Sequence, residues 1–171
     1  MKHTVLIALA ICAAGGIGIT CACKAGLVTT PYFGFAKVWS VAVCKVDGPF
    51  TGTSLDVSPL QIITADHVTD VDARLVADPF LIHDGETYCL FYEVLNAATH
   101  EGDIGVSVSI DGDDWTYQGI VLDEDFHLSY PQIFKHKDNI YMIPESCAAG
   151  SVRLYRATDF PTEWVFERTL I

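Results

Sequence analysis

The sequence predicts an all-β protein built from propeller-like blades and preceded by one hydrophobic segment. Three observations lead to this fold class. A segment near residue 80 recurs near residue 132, the residues after position 102 alternate between apolar and small polar side chains, and Asp-Gly turns separate short runs. Repeats of about 50 residues, each long enough for four short strands, are typical of propeller blades.

The N-terminal segment differs in composition from everything that follows. Lys2 and His3 lie at the start, and residues 4–23 contain no charged side chain. An apolar run of about 20 residues can cross a bilayer as a helix, and a short basic start before such a run also fits a signal peptide. We therefore interpret residues 1–24 as a hydrophobic helix that is either a cleaved signal peptide or a membrane anchor.

This interpretation sets the predicted location of the protein. A signal peptide or anchor implies a secreted, cell-envelope or membrane-anchored protein that faces a non-cytoplasmic compartment. Contact with the membrane is expected only if the segment is retained.

The folded part, residues 25–171, is predicted to be a partial propeller. Residues 25–74 are interpreted as part of a blade and a linker, with one strand over residues 37–44 and a shorter one over residues 61–64. A loop containing glycine and proline separates the two strands.

Two complete blades are predicted over residues 75–122 and 126–171. Pro131 and Glu145 stand 52 positions after Pro79 and Glu93, so the repeat needs no gap between these points. Closed propellers have four or more blades, so two blades and a part of another leave sheet edges open. Open blade edges predict possible self-association.

Charge and cysteine content limit the classes of ligand. The chain has 22 acidic residues against 10 Lys and Arg, and its formal net charge of −12 disfavours nucleic-acid binding. Cys44, Cys89 and Cys147 lack paired metal-ligand spacing, which disfavours zinc and leaves open one disulfide or three free thiols. The Asp-rich turn at residues 111–114 lacks the spacing of a calcium loop. No metal and no cofactor are predicted.

Four motifs at matched spacing carry a resemblance to a known family. They are DVDARLVADPF at residues 70–80, FYEVLN at 91–96, FHLSYP at 126–131 and YMIPES at 141–146. Together they resemble the N-terminal domain of glucosamine inositolphosphorylceramide transferases and its bacterial relatives, over about residues 39–171. That domain is similar to the five-bladed propellers of arabinanases and invertases. The resemblance implies a partial five-bladed propeller that binds a carbohydrate or a glycolipid head group.

The resemblance also implies where the site lies. In those hydrolases an acidic residue directly before a proline, at the start of an innermost strand, points into the axial pocket, and Asp78 before Pro79 matches it. A carboxylate there can act as a general base or accept sugar hydroxyls. In the next blade Tyr130 stands where the hydrolases carry a second carboxylate, and no third blade is present to supply their acid glutamate.

Other residues are candidates on the same face. Glu93 and Glu145 each end a second strand that runs back towards the start of the first, so both could line the pocket, or else hold neighbouring backbone or an arginine. His127 precedes the second blade and could bind a hydroxyl. Arg153 is a candidate for substrate binding, with a salt bridge as the alternative. We thus predict Asp78 and Glu145 as the catalytic pair if the chain is an enzyme. The predicted substrate-binding residues are Glu93, His127, Tyr130 and Arg153.

Three functions remain open at this level. The leading one is a carbohydrate-recognition or glycan-processing module, because the transferase chemistry of the relatives is implied to belong to a separate downstream domain. The second is a glycoside hydrolase of the arabinanase or invertase type, with Asp78 as base and Glu145 as acid. The third is a truncated, catalytically inactive structural remnant.

Overall fold

The computed structural model describes residues 4–14, 37–47 and 61–171, and it arranges them as eleven strands in three antiparallel sheets. The all-β fold class is therefore confirmed. Two single-turn 3₁₀ helices, Ala65–His67 and Cys147–Ala149, accompany the strands. Within the described ranges no helix has the length and apolar character needed to cross a membrane.

The first sheet contains β1 (Thr4–Ala14), β2 (Lys37–Asp47) and β3 (Gln61–Ile63) in that order. Strands β2 and β3 lie where the sequence predicts strands over residues 37–44 and 61–64. The structure has strand β1 where the sequence predicts a hydrophobic helix, and β1 pairs with β2 along its whole length. A uniformly apolar run has no period that separates helix from strand, and several of its residues are β-branched. The rest of the predicted leader lies outside the described residues.

The second sheet, which we call the first blade, is a four-stranded meander. It consists of β4 (Ala73–His83), β5 (Tyr88–Asn96), β6 (Gly102–Ser109) and β7 (Thr116–Leu122). The third sheet, the second blade, repeats this order with β8 (Ser129–His136), β9 (Asn139–Glu145), β10 (Arg153–Asp159) and β11 (Glu163–Thr169). The first strands of the two blades, β4 and β8, pack beside each other.

The two blades share a β-bulge at the same place in their first strands. In β4, Asp78 and Pro79 face the single residue Tyr92, because Ala77 pairs with Glu93 and the pairing resumes at Phe80. In β8 the pairing shifts in the same way, so that Tyr130 and Pro131 face Pro144. A bulge accommodates proline because the extra residue makes no ladder hydrogen bond. The repeat seen in sequence is therefore also a repeat of backbone geometry.

Two apolar cores hold the sheets together. One lies between the first sheet and the first blade and includes Val41, Val43, Ile63, Leu90 and Trp115. The other lies between the blades and includes Phe91, Ile104, Met142 and Tyr155, with Trp164 packed against it.

The repeated tryptophans and the cysteines have structural positions. Each indole N–H donates to a carbonyl three residues earlier, Trp115 to Gly112 at 3.2 Å and Trp164 to Pro161 at 2.9 Å, which closes the turn before the fourth strand. The Cys44 and Cys89 thiols are free and buried, and the Cys147 thiol is free and exposed. The sequence alone did not distinguish one disulfide among these three cysteines from three free thiols.

Candidate functional site

The equivalent positions Asp78 and Tyr130 have the same unusual backbone conformation. Both have φ of +47°, in the left-handed region, although neither is glycine. Asp tolerates this region through local hydrogen bonding, whereas a bulky Tyr adopts it rarely, at a cost on the order of 1 kcal/mol. Such strain collects at binding and catalytic sites because the surrounding structure must hold it in place. The bulges thus fix the backbone conformation from which the Asp78 and Tyr130 side chains project.

Tyr130 lies on the seam between the blades. Its ring meets the Phe80 ring edge to face, with 4.6 Å between centroids, and the residue is 57% exposed. Because Phe80 follows Asp78 by two positions on β4, the contact brings the two bulges together. An exposed aromatic ring beside carboxyl groups is an arrangement suited to a ligand with both apolar and polar faces.

Three carboxyl groups gather at this seam. Glu93 lies on β5 opposite Ala77, and its side chain is 12% exposed. Burial, the charges of Asp78 and Glu145 and a side-chain hydrogen bond with Asp78 raise the pKa of Glu93 to about 7. Like charges in a partly dry site cannot all ionise easily, so one proton is retained near neutral pH. The structure therefore brings Asp78 and Glu145 close to Glu93.

Glu145 is held by its own blade. Its Oε1 accepts the backbone N–H of Cys147 at 2.7 Å, and its Oε2 accepts the Ser129 hydroxyl at 3.3 Å. Glu145 thus combines a position beside Glu93 with the backbone-holding role that the sequence left as an alternative.

His127 also reaches the cluster. Its Nε2 lies 3.5 Å from Oε1 of Glu93, and its Nδ1 accepts the backbone N–H of Gly102 at 2.9 Å. The Oε2 atom of Glu101 lies 3.7 Å from the same Nδ1. Glu101 and Gly102 were not recognised in the sequence, because a loop residue 25 or more positions away carries no local signal of such a contact.

Arg153 lies in a different environment. Its Nη1 is 3.7 Å from Oε2 of Glu124, and its guanidinium covers the Phe126 ring at 4.5 Å and the Phe166 ring at 5.4 Å. Its contacts thus favour the salt-bridging alternative. Arg156 pairs with Glu167 at 3.1 Å, so neither arginine is the partner of Glu93 or Glu145.

The chemistry of the cluster favours ligands that donate hydrogen bonds. Carboxylates accept two or more hydrogen bonds each and repel phosphate or carboxylate groups on a ligand. Among the described residues, no group of three or more acidic, His or Cys side chains has the geometry to hold a metal ion. A neutral polyol, or one that carries an amine, fits these groups best.

A separate open cavity of about 370 Å³ lies at the other end of β6. It is lined by residues of the β6–β7 hairpin, namely Val108, Ser109, Ile110, Asp111, Asp114, Thr116 and Gln118. Asp111 is engaged in the turn itself, where it accepts the backbone N–H groups of Asp113 and Asp114. This cavity does not include the strained bulges or the carboxyl cluster, so we regard the interblade seam as the candidate site.

Comparison with known sequences identifies the relatives of the chain. Residues 38–171 match the family described as Glucosamine inositolphosphorylceramide transferase 1, N-terminal. The protein of that name from Oryza sativa subsp. indica is 51% identical over 100 residues, which cover 58% of this chain and 13% of the relative. The Arabidopsis thaliana protein is 36% identical over 148 residues, which cover 78% of this chain and 19% of the relative. The chain therefore spans less than a fifth of the length of these curated relatives.

Comparison with solved structures supports the same fold. RS223-β-xylosidase superposes with a TM-score of 0.70 at 13% identity, covering 98% of this chain and 56% of that one. The Bombyx mori GH32 β-fructofuranosidase superposes with a TM-score of 0.52 at 12% identity, covering 82% of this chain and 32% of that one. At these identities the likeness establishes the propeller-like fold alone.

Proposed function

This chain belongs to the glucosamine inositolphosphorylceramide transferase 1 N-terminal family, and we propose that it is a carbohydrate-binding module whose site is the carboxyl cluster between the blades. The observation that carries the proposal is the convergence of Asp78, Glu93 and Glu145 beside the exposed ring of Tyr130. Nothing in this proposal requires the chain to be an enzyme.

A sugar matches this combination of groups. Its ring carries several hydroxyl donors for the carboxyl oxygens, and its C–H face packs against an aromatic ring. Asp78 is the principal acceptor in this proposal, because the bulge fixes it in the left-handed region and its carboxyl group interacts with that of Glu93. Tyr130 supplies the apolar wall.

The names of the relatives suggest which sugars to test. They combine glucosamine with an inositol phosphate head group on a ceramide. The acidic seam favours the amino sugar, whose ammonium group it attracts, over the phosphate, which it repels. We therefore propose that the sugar portion of such a glycolipid enters the seam while any phosphate stays outside it.

A second candidate function is glycoside hydrolysis. The raised pKa of Glu93, about 7, suits a general acid, and Asp78 would then be the base. Glu93 fits the acid role better than Glu145, whose two carboxyl oxygens already accept hydrogen bonds within its own blade. However, hydrogen-bonded carboxyls are closer than the roughly 6.5–9.5 Å that an inverting mechanism needs for its water. Binding is therefore the function we favour.

Calorimetric titration of the full chain tests the proposal. The ligands are glucosamine, glucose, myo-inositol and myo-inositol phosphate, and the proteins are wild type, Asp78→Asn and Glu86→Gln. Asn tolerates the left-handed conformation, so Asp78→Asn removes the charge with little change to the bulge. Glu86 lies exposed in the β4–β5 turn and serves as the matched control.

We expect the wild type to prefer glucosamine and to lose affinity at least tenfold on Asp78→Asn, since a charge-assisted hydrogen bond contributes about 1.5–3 kcal/mol. Glu86→Gln should bind as the wild type does. Absence of binding by the wild type, or equal binding by Asp78→Asn, would overturn the proposal. Release of reducing sugar from aryl glycosides would favour the hydrolase instead.

A further inference from the structure

Two hydrogen bonds join the loop before the second blade to Gly102 of the first blade. The backbone N–H of Gly102 donates to Nδ1 of His127 at 2.9 Å, and the N–H of Leu128 donates to the Gly102 carbonyl at 2.8 Å. A Cβ atom added at position 102 would lie 2.3 Å from the Leu128 carbonyl oxygen and 2.8 Å from Cε1 of His127. Only glycine permits this approach, so the imidazole is held by the Gly102 backbone of the first blade.

This contact decides which nitrogen of His127 carries the proton. Because Nδ1 accepts a hydrogen bond from an amide, the proton of the neutral ring must be on Nε2. Nε2 faces Oε1 of Glu93 at 3.5 Å. The Gly102 amide therefore directs the Nε2–H of His127 towards the Glu93 carboxyl.

The Glu93 carboxyl in turn faces Asp78. Burial and the neighbouring acidic groups raise the pKa of Glu93 to about 7, and its hydrogen bond with Asp78 contributes to that rise. A hydrogen bond that raises the pKa of Glu93 stabilises its protonated form, so Glu93 is the donor and Asp78 the acceptor.

We propose that His127 is a positioning residue: the Gly102 amide fixes its imidazole so that Nε2–H faces the Glu93 carboxyl, which lies beside Asp78. The Asp78 carboxylate therefore remains an acceptor, and the ligand must supply the donor. Where it concerns the ligand, this inference rests on the proposed function, but the orientation of the His127 ring does not depend on it.

The charged groups that the structure shows against His127 and Glu93 are acidic. Glu93 on β5 and Glu101 in the β5–β6 loop face the imidazole. Asp78 on β4 and Glu145 on β9 act on Glu93. The neutral imidazole can donate to Glu93 without adding a negative charge to these carboxyl groups.

The tautomer of His127 in the wild-type chain is the first test. Long-range proton–nitrogen spectra of the ¹⁵N-labelled full chain, near pH 8, report the protonation of each imidazole nitrogen, and the spectrum of His127→Gln assigns the resonance. We expect Nδ1 to be unprotonated and Nε2 to be protonated. An Nδ1–H tautomer, or a doubly protonated ring at that pH, would overturn the inference.

The titration of Glu93 is the second test, because a merely structural histidine would not change it. Carboxyl ¹³C shifts give the midpoint of Glu93 in wild type, His127→Phe, His127→Gln and the exposed control His136→Phe. Loss of the Nε2–H donor removes stabilisation of the Glu93 carboxylate, so we expect the midpoint to rise by about 0.5–1 unit in His127→Phe. Glutamine retains a donor and should restore most of the shift, and His136→Phe should leave it unchanged.

An unchanged midpoint in a folded His127→Phe would contradict the inference. If that variant does not fold, the tautomer of His127 in the wild-type chain still tests the inference. If wild type binds none of the sugars while both measurements agree with expectation, the proposed function fails and the positioning role of His127 stands.

Discussion

At the scale of single residues, Asp78 and Tyr130 show how one backbone site is used for two purposes. Both residues precede a proline, both have φ of +47°, and each is the first residue of its bulge. One brings a carboxylate to the seam and the other an aromatic ring. The two blades therefore contribute different chemistry to one site while their backbones remain equivalent.

The ionisation of Glu93 leads to a pH-dependent stability. Its folded pKa, about 7, lies above its ordinary value of 4.5, so its stabilising contribution is complete below about pH 4.5 and is lost as the pH rises through 7. Glu93→Gln keeps a neutral donor at all pH values. We expect the variant to gain about 1–3 kcal/mol in free energy of unfolding over wild type between about pH 5 and pH 8.

Urea unfolding at both pH values measures this difference. Asp103 has a pKa raised to about 6 by burial and by Asp123, and it adds a pH trend of its own to both proteins. The comparison between variant and wild type removes that trend, and Glu86→Gln serves as the control. Equal pH trends in Glu93→Gln and wild type would show that Glu93 is not held protonated.

The residues of the site were only partly visible in the sequence. The constant offset from Glu93 to Glu145 and from Pro79 to Pro131 indicated which residues are equivalent. The positive φ at the bulges could not be predicted, since a bulky Tyr before proline gives no signal for the left-handed region. The Gly102–His127 contact was missed because it depends on how two blades pack.

At the scale of secondary-structure elements, two features set the geometry of the seam. They are the bulged first strands and the contact of Gly102, at the start of β6, with His127 and Leu128. Asp78 lies in the middle of β4, because the pairing with β5 extends back to Ala73. Tyr130 is the second residue of β8. The two first strands thus differ in length before the bulge but agree after it.

Gly102→Ala tests the contact of Gly102 with His127 and Leu128. The added Cβ would overlap the Leu128 carbonyl, a backbone atom that cannot turn away, so we expect a loss of about 2–4 kcal/mol of stability. Gly150→Ala is the matched control, because that residue has φ of +62° but open space around its Cβ position, and should cost only about 1 kcal/mol. Thermal unfolding compares the two. Similar losses would show that the loop moves away from β6 easily.

Periodicity and repeats predicted the strands after residue 61 well, because each strand has one face in a core and turns of definite chemistry at its ends. The N-terminal segment had no such pattern. Its strand β1 is determined by pairing with β2, a contact between distant parts of the chain that composition does not reveal.

At the scale of the whole molecule, the two blades differ in what covers them. Cys89 and Phe91 of the first blade are fully buried between the blades. The equivalent residues of the second blade, Tyr141 and Ile143, are only partly buried, and Tyr141 stacks on Phe134 at 5.7 Å. The equivalent face of the second blade is therefore more exposed, and self-association through open blade edges stays a prediction.

The central claim is that the seam between the blades is the sugar-binding site. Amide chemical-shift mapping of the ¹⁵N-labelled chain during titration with glucosamine tests it most directly, because both blades are observed in one experiment. We predict that the largest shifts occur at Asp78, Glu93 and Tyr130. Shifts confined to the distant cavity around Ile110 and Gln118, or no shifts at saturating sugar, would contradict the claim.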